Sequence, residues 1–247
     1  MNKTEPTLEC ADFTAAFVRI LTENGLAEFA TEALADRFFA LTERLLRVNA
    51  VMNLTAITDP HEIILKHYAD SLRAAKYLPH GAKVADVGCG AGFPTLPLAA
   101  ARPDLAITAI DSTDKRIVFV RETAALLGLD NVTAVTARAE DVGAGELRGK
   151  YDCVTARAVA ALPVLIEICA PLLKVGGYFF AMKGKNADAE LASSERAARE
   201  LGLTLADTVR YELPEDSGSR AIFVYRKTSP TPARYPREYR KIVKAPL

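Results

Sequence analysis

The stretch VADVGCGAGFPT, residues 84–95, constrains the fold of this 247-residue chain more than any other. A short apolar run leads into three closely spaced glycines, and an apolar helical pattern follows them. Strand, glycine turn and helix in this order build open α/β sheets, whose ligands bind at the carboxyl ends of the strands. We therefore expect an α/β fold with a ligand site at this turn.

Strands and helices alternate after residue 82. Apolar runs predict strands at 83–87, 106–110, 132–136, 151–156 and 177–182, and helical patterns follow at 93–101, 114–127, 162–173 and 188–201. This alternation favours a mainly parallel sheet covered on both faces. Two last strands, 204–212 and 220–226, have no helix between them and should pair antiparallel. Such a seven-stranded sheet with an antiparallel end hairpin is the Rossmann-like plan of class I S-adenosylmethionine-dependent methyltransferases.

The residues before the sheet predict an N-terminal helical extension. Apolar residues three or four apart run through 12–50, with a break at Asn24-Gly25. Asp59 and Pro60 are the residue types of a helix start, and that helix should end near 79–81. We divide the chain into a helical region at 1–80, a methyltransferase domain at 81–228 and a basic tail at 229–247.

Composition excludes several classes of protein. Half of the residues are hydrophobic, a quarter are charged, and no apolar run reaches the roughly 18 residues of a membrane span. The opening MNKTEPTLEC has no apolar core of a secretory signal. The four cysteines lack paired spacing and the three histidines lack metal-ligand spacing. Without a coiled-coil pattern, we expect a cytoplasmic monomer with reduced thiols and no metal.

The acid Asp86, two residues before the first glycine, indicates which ligand the turn binds. A dinucleotide fingerprint reads G-x-G-x-x-G, but here Gly88 and Gly90 are followed by Phe93 at the third glycine position. An ionised Asp86 would repel a pyrophosphate. S-adenosylmethionine instead carries an ammonium and a sulfonium that suit this carboxylate, and a carboxylate that suits the free amides of the turn. The pattern therefore favours S-adenosylmethionine.

Two further positions fit this cofactor. Asp111 ends the second strand, 25 residues after Asp86, where a carboxylate can accept hydrogen bonds from both ribose hydroxyls. Nicotinamide enzymes share that feature. Ala139 and Glu140 follow the third strand, in a loop that lies beside the adenine in this architecture. Taken alone, Glu140 is better explained as part of a capped solvent loop.

The fourth and fifth strands bear on the methyl acceptor. The sequence at 153–158, CVTARA, has no Asp/Asn-Pro-Pro-aromatic motif of amine methylation, and no Pro-Cys pair offers a nucleophile for carbon methylation. Guanine N7 has a free lone pair, so its methylation needs positioning and no general base. Arg157 and Lys183 lie at strand ends, where either could hold RNA phosphate. A strand-end ion pair for Arg157 and a solvated turn for Lys183 are the alternatives.

Charge is concentrated at the end of a chain whose formal net charge is zero. Residues 226–247 hold seven basic residues and one acid, a net +6, which leaves −6 for residues 1–225. Cations with interleaved tyrosines can bind phosphates and stack on bases, and Arg237, Arg240 and Lys241 are the candidates for RNA contact. A solvated tail folded over an acidic body explains the same pattern.

Several motifs together resemble the bacterial ribosomal RNA small subunit methyltransferase G family, also called GidB. They are Asn-Leu-Thr at 53–55, Lys-His-x-x-Asp-Ser at 66–71, Gly-Ala-Gly-Phe-Pro at 90–94 and Thr-Pro-x-x-Tyr-Pro-Arg at 231–237, and the similarity covers most of the chain beyond about residue 40. The resemblance implies methylation of N7 of a guanosine in the decoding region of 16S rRNA, naked or within the small ribosomal subunit or its precursor.

The resemblance also implies roles for particular residues. Family positions that contact the cofactor fall on Gly88, Phe93, Ala139, Glu140 and Arg157, and those on the RNA side fall on His67, Arg138, Arg157 and Lys183. One departure is Thr95, where the family pattern usually has a second glycine after Phe-Pro. If that glycine lets a helix approach closely, Thr95 shifts the packing slightly.

Three alternatives stay open from the residues alone. A methyltransferase for a small molecule or a protein should not need the basic tail. A regulatory module would bind S-adenosylmethionine and methylate nothing. A nicotinamide reductase fits poorly, because of Asp86 and Phe93.

Overall fold

Seven strands form one sheet in the computed structural model, which describes residues 9–215 and 217–247. They are β1 Lys83–Val87, β2 Ala106–Asp111, β3 Val132–Thr136, β4 Tyr151–Arg157, β5 Leu173–Lys183, β6 Leu203–Leu213 and β7 Gly218–Lys227. The order is β3-β2-β1-β4-β5-β7-β6, with β1 to β5 parallel and β7 antiparallel to both of its neighbours. The expected mainly parallel sheet with an antiparallel end hairpin is confirmed.

Helices cover both faces of the sheet. They are α1 Cys10–Glu23, α2 Glu32–Met52, α3 Pro60–Ile63, α4 Asp70–Ala75, α5 Thr95–Ala101, α6 Asp114–Leu126, α7 Ala139–Ala144, α8 Leu162–Cys169, α9 Ala187–Glu200 and α10 Tyr239–Lys244. Short α7 and α10 were not predicted. The helix expected over 162–173 ends earlier, at Cys169, and a 3₁₀ turn with Pro171 leads directly into β5. Proline lacks the N–H that would continue the α-helical ladder.

Local sequence signals set the helix starts before the sheet. The Thr31 side chain accepts a hydrogen bond from the Leu34 amide, and Asp59 accepts one from the Glu62 amide, so both residues cap the helices that follow them. Between α3 and α4 the chain forms a π-helical segment, Ile64–Ala69. No sequence period predicts such a segment, which is rare and often found at functional sites.

The outer parts of the chain pack on opposite faces of the sheet. One core joins the apolar faces of α1 and α2, including Phe17 and Phe38, to sheet residues such as Val84. The other joins α8 to the tail through Tyr235 and Ile242. The division at residues 80 and 228 stays a prediction. The opening segment 1–8, on which the secretory-signal expectation largely depends, lies outside the described residues.

None of the helices in the described part of the chain is both long and apolar enough to cross a membrane.

Candidate functional site

In the glycine turn, every second residue from Gly88 to Gly92 has a left-handed backbone conformation. Gly88, Gly90 and Gly92 have φ angles of +70°, +55° and +85°, which side chains disfavour. A Cβ on Gly88 would lie 2.5 Å from Cγ2 of Val159. The turn therefore needs glycine at Gly88 for both conformation and space, because the Val159 side chain packs directly against it.

Asp86 lies beneath this turn. Its carboxylate is fully buried and accepts hydrogen bonds from the Thr95 amide at 3.2 Å, the Thr95 hydroxyl at 2.6 Å and the Thr155 hydroxyl at 3.0 Å. Burial raises the pKa of Asp86 to about 6, against these stabilising hydrogen bonds. In this structure Asp86 joins β1, β4 and α5 through these hydrogen bonds, and its expected contact with a cofactor ammonium stays a prediction.

Most of the amides expected to bind the cofactor carboxylate already donate hydrogen bonds within the protein. Those of Gly88 and Cys89 donate to the Ile110 carbonyl, and those of Gly92 and Phe93 donate to the Cys89 carbonyl. The Gly90 amide donates to Asp111. The glycine turn is thus internally bonded, and its contribution to ligand binding is a shaped surface more than a row of free donors.

A cleft of about 210 Å³ lies beside this turn, at the carboxyl ends of the strands. Five of the expected site residues line it, namely Gly88, Asp111, Arg138, Ala139 and Glu140. The rest of the wall combines aliphatic side chains from β1, β2 and α8 with the polar residues Ser112 and Arg116. We call this the smaller cleft.

Asp111 gives the smaller cleft a fixed carboxylate. Its oxygens accept hydrogen bonds from the Gly90 amide at 3.1 Å and the Thr113 amide at 2.8 Å, and Arg116 lies 3.5 Å away. A carboxylate oriented by backbone amides still has lone pairs for ligand hydroxyls. The strand-end acid, with aliphatic side chains of β1, β2 and α8 beside it, fits the ribose and base of an adenosine group, as S-adenosylmethionine requires.

A second cleft of about 660 Å³ adjoins the first, and both are lined by Ala158 and Val159 in the loop after β4. Ala158 has a φ of +56°, an uncommon conformation for a residue with a side chain. This larger cleft contains His67, Arg157 and Lys183, three of the residues expected on the RNA side.

Arg157 joins β4 to the π-helical segment. One guanidinium nitrogen donates to the Lys66 carbonyl and to Asp70, both at 2.9 Å, and the other donates to Nδ1 of His67 at 3.1 Å. Its charge also lies 5.5 Å from the ring centroid of Phe93. The ion-pair alternative for Arg157 is therefore present, and the residue borders the larger cleft as well.

His67 is held as a neutral ring. Burial and the adjacent Arg157 charge lower the pKa of His67 to about 3. Nδ1 accepts from Arg157, so Nε2 carries the proton and donates to the Thr55 hydroxyl at 3.0 Å. The ring stacks on Phe93, with centroids 4.3 Å apart and planes within 11°. Phe93 thus packs against the larger cleft through the His67 ring.

Lys183 has two partners at the edge of the larger cleft. Its ammonium is 2.7 Å from both the Ala160 carbonyl and the Glu190 carboxylate, and its side chain is only 7% exposed. Glu190 also accepts from the Leu162 amide at 2.7 Å. Lys183 therefore fixes the loop after β4, which the alternative of a solvated turn does not describe, and its contact with RNA stays a prediction.

The basic tail is folded onto the body. Arg237 binds Glu167 through two nitrogens, at 2.8 and 2.6 Å, and this carboxylate is completely buried in α8. The structure gives Arg237 an anchoring role, because its charge is already neutralised. Arg240 and Lys241 are exposed on α10, and Lys241 pairs only with the exposed Glu238.

Two site residues were missed in the sequence. Tyr239, in the tail, lines the smaller cleft, and Asp70 lines the larger one with hydrogen bonds from Arg157 and from the Tyr211 hydroxyl at 2.8 Å. A signal for the tail contact was present, since Glu167 is the single acid of the apolar helix α8.

The structure offers neither an activated thiol at the glycine turn nor a metal site among the described residues. Cys89 in the glycine turn is buried, and burial raises the pKa of its thiol well above the ordinary value. Within residues 9–215 and 217–247, no group of three histidine, cysteine or acidic residues is arranged to hold a metal ion.

Sequence comparison places these features in a known context. The profile of the family described as rRNA small subunit methyltransferase G matches residues 35–214. Proteins named ribosomal RNA small subunit methyltransferase G are similar along most of their length. The one from Staphylococcus saprophyticus is 45% identical, covering 86% of this chain and 90% of that protein. The one from Deinococcus radiodurans is 50% identical, covering 82% and 81%.

Solved structures share the fold at low sequence identity. The TYW2 protein of M. jannaschii, in complex with AdoMet, has a TM-score of 0.52 and 20% identity, covering 63% of this chain and 72% of that one. The B. subtilis M1A22 tRNA methyltransferase TrmK has a TM-score of 0.54 and 18% identity, covering 67% and 68%. These likenesses concern the sheet and its helices, and the fold is that of S-adenosylmethionine-dependent methyltransferases.

Proposed function

This chain belongs to the rRNA small subunit methyltransferase G family, and from that premise we propose that it methylates N7 of a guanosine in the decoding-region loop of 16S rRNA. As a member of the family it is a methyltransferase of small-subunit rRNA that uses S-adenosylmethionine. We further propose that the substrate is the small subunit or its precursor. We also propose that the protein acts as a monomer in the cytoplasm.

One observation supports N7 in particular. Every titratable side chain lining the larger cleft already has a partner: Lys66 pairs with Glu62, His67 with Thr55 and Arg157, Asp70 with Arg157 and Tyr211, Lys183 with Glu190, and Arg220 lies 3.8 Å from Asp70. None is poised as a free base. N7 of guanine presents an in-plane lone pair and needs no proton removed before attack, so a cleft of this kind suffices.

The smaller cleft is the proposed cofactor site. When bound, S-adenosylmethionine supplies the methyl group from its sulfonium. Asp111 would accept the ribose hydroxyls, Ala139 and Glu140 would border the adenine, and Gly88 would border the ligand at the turn. Arg157 lies beyond the shared Ala158–Val159 wall, at the junction with the acceptor.

The larger cleft is the proposed acceptor site. Four cations and two carboxylates line it, an excess of two positive charges once His67 is counted as neutral. That balance suits a nucleotide phosphate, while Asp70 and Glu190 stabilise the cationic ring of an N7-methylated product. The major groove of A-form RNA is too deep and narrow for side chains, so the guanine must be in a loop or flipped out.

The test uses small ribosomal subunits from cells that lack this activity. The protein is incubated with them and methyl-labelled S-adenosylmethionine, and the rRNA is then cleaved chemically at N7-methylguanosine. One new cleavage in the decoding-region loop is expected. Label at another position, in protein or in small molecules, would contradict the proposal, as would cofactor binding without any transfer.

Substitution at Arg157 then tests the site. Arg157→Lys keeps a cation but loses the fork that holds Asp70 and His67 together, so we expect methylation to fall at least tenfold while S-adenosylmethionine still binds. The melting temperature serves as the control for folding. Methylation at the wild-type rate by Arg157→Lys would contradict the proposed role of the Arg157 fork in the acceptor site.

A further inference from the structure

The C-terminal tail carries an aromatic side chain to the edge of the proposed cofactor site. Tyr239, the first residue of α10, lines the smaller cleft together with Asp111, Ala139 and Glu140. The guanidinium of Arg138 lies 5.8 Å from the centroid of its ring. The tail therefore reaches the same cleft as the loop after β3, more than 90 residues earlier in the chain.

The position of Tyr239 is fixed from both sides. Before it, Arg237 is bound to buried Glu167, and its own amide donates to the same carboxylate at 3.0 Å. After it, Ile242 is completely buried in the core formed with α8. Between these two attachments the ring has little freedom to move away from the cleft.

Further bonds hold the segment that leads to these attachments. Arg148 donates to the carbonyls of Thr231 and Tyr235, both at 2.7 Å, and the Tyr235 hydroxyl bonds to Glu200. Tyr235 itself is 5% exposed. The tail is part of the folded body at all of these points, and Tyr239 is a constant wall of the cleft.

The chemistry of the smaller cleft suits a flat heteroaromatic ring at this wall. Aliphatic side chains, among them Val87, Ile110 and Val159, line this cleft together with the acid Asp111. A purine placed between an aliphatic surface and a tyrosine ring gains both apolar burial and stacking. Asp111 gives the ribose its position, so the base extends toward Ala139 and the tail.

We propose that Tyr239 forms the adenine-stacking wall of the S-adenosylmethionine site, so that the basic tail completes the cofactor pocket. This rests on the proposed placement of the cofactor in the smaller cleft. The ring is a binding element and takes no part in methyl transfer. S-adenosylmethionine and S-adenosylhomocysteine share their adenosine, so Tyr239 contributes equally to the affinity for both.

Calorimetric titration of both ligands into the full chain tests the proposal. Tyr239→Ala should raise the dissociation constants for both by roughly tenfold, the size of one base–aromatic stack. Tyr239→Phe keeps the ring and should bind as the wild type does. Val243→Ala, which truncates an exposed apolar residue on the same helix, is the matched control and should also bind normally.

Two outcomes would overturn the proposal. One is wild-type affinity of Tyr239→Ala. The other is an equal loss in Tyr239→Phe, which would assign the effect to the hydroxyl. Asp111→Asn separates this from failure of the cofactor site itself: if it weakens binding while Tyr239→Ala does not, the site stands and the aromatic wall fails. If neither weakens binding, the placement of the cofactor in the smaller cleft fails.

A fluorescent variant keeps the proposal testable should Tyr239→Ala fold poorly. The chain has no tryptophan, so Tyr239→Trp creates a single reporter at the proposed wall. Stacking of adenine on the indole should quench its emission on addition of S-adenosylhomocysteine. Unchanged emission at saturating ligand, with binding confirmed by calorimetry, would contradict the proposed contact.

Discussion

At the scale of single residues, the glycine turn rests on the Asp86 carboxylate, which is hydrogen-bonded within the protein itself. Asp86 is buried beneath the glycine turn, and the extra hydroxyl of Thr95 is one of its three hydrogen-bond donors. Thr95, the departure expected from the resemblance, thus contributes a hydroxyl bond as well as its backbone amide. The Cβ and hydroxyl are accommodated because they point at Asp86 within a fully buried site.

The raised pKa of Asp86 predicts how stability depends on pH. The native carboxyl has a pKa of about 6, while that of the unfolded chain is near 3.8, so the native state keeps a proton that the unfolded state has lost. The contribution of Asp86 to the free energy of unfolding therefore falls as pH rises from about 4 to about 6. Above that window the contribution is constant.

Denaturant titrations of the wild type and Asp86→Asn between pH 4.5 and 7 measure this contribution as a difference. The difference, wild type minus variant, should fall with pH by at most about 1.4 kcal/mol per unit and then level off. His67, whose lowered pKa has the opposite effect on stability, is present in both proteins and cancels. A difference that is flat or rises below pH 6 would contradict the buried-acid assignment.

At the scale of elements, α8 and the tail depend on one ion pair. Glu167 is completely buried in α8, and Arg237 is its partner through two nitrogens. Breaking a buried pair by removing one member leaves the other charge without compensation, which is costly. The pair also holds the segment that places Tyr239 and Ile242, so the attachment of α10 should depend on it.

Arg237→Ala is expected to lower the free energy of unfolding by about 3 kcal/mol, because it leaves the Glu167 carboxylate buried without its partner. Arg234→Ala is the matched control, since Arg234 pairs with Glu200 but is 69% exposed, and exposed pairs contribute little. Urea unfolding measures both variants. Equal small effects would show that the other contacts of the tail, apolar and hydrogen-bonded, hold it without this ion pair.

At the scale of the whole molecule, the alternation of apolar and helical segments was enough to predict the sheet. The strand β3 was predicted residue for residue, and the antiparallel hairpin followed from the lack of a helix between its strands. The cofactor was also predicted correctly, while the structure adds an internal role for Asp86 that the sequence analysis did not contain. An acid at that position was informative, but the sequence did not indicate that its carboxylate points inward toward Thr95 and Thr155.

Long-range pairings were beyond the sequence, for a physical reason. Local periodicity reports which face of an element is apolar, and it does not report which distant charge meets which. Arg237 and Glu167 are 70 residues apart, and both gain their roles only when α8 is buried. The π-helical segment around His67 and the short helices α7 and α10 likewise follow from tertiary packing.

The folded tail changes how RNA binding must be tested. Removing residues 229–247 would also remove buried Tyr235 and Ile242, so a loss of activity would not distinguish RNA contact from damage to the fold. The exposed cations Arg240 and Lys241 are the better targets. They lie on α10, beside the smaller cleft, where RNA that reaches the larger cleft would pass.

The double variant Arg240→Ala/Lys241→Ala should weaken binding of the small-subunit rRNA substrate and make it less sensitive to salt. Each lost phosphate contact reduces the slope of log K against log salt by roughly 0.7 to 0.9, so two contacts reduce it by about 1.5. Lys83→Ala/Lys150→Ala removes the same charge from exposed positions at the amino ends of β1 and β4, away from both clefts, and should leave the slope unchanged. Binding measured by filter retention from 50 to 300 mM salt, over which the Debye length falls from about 14 to about 6 Å, gives both slopes. Equal slopes for the two double variants would show that the tail cations lie outside the RNA interface, and the positive excess of the larger cleft would then have to carry the contact alone.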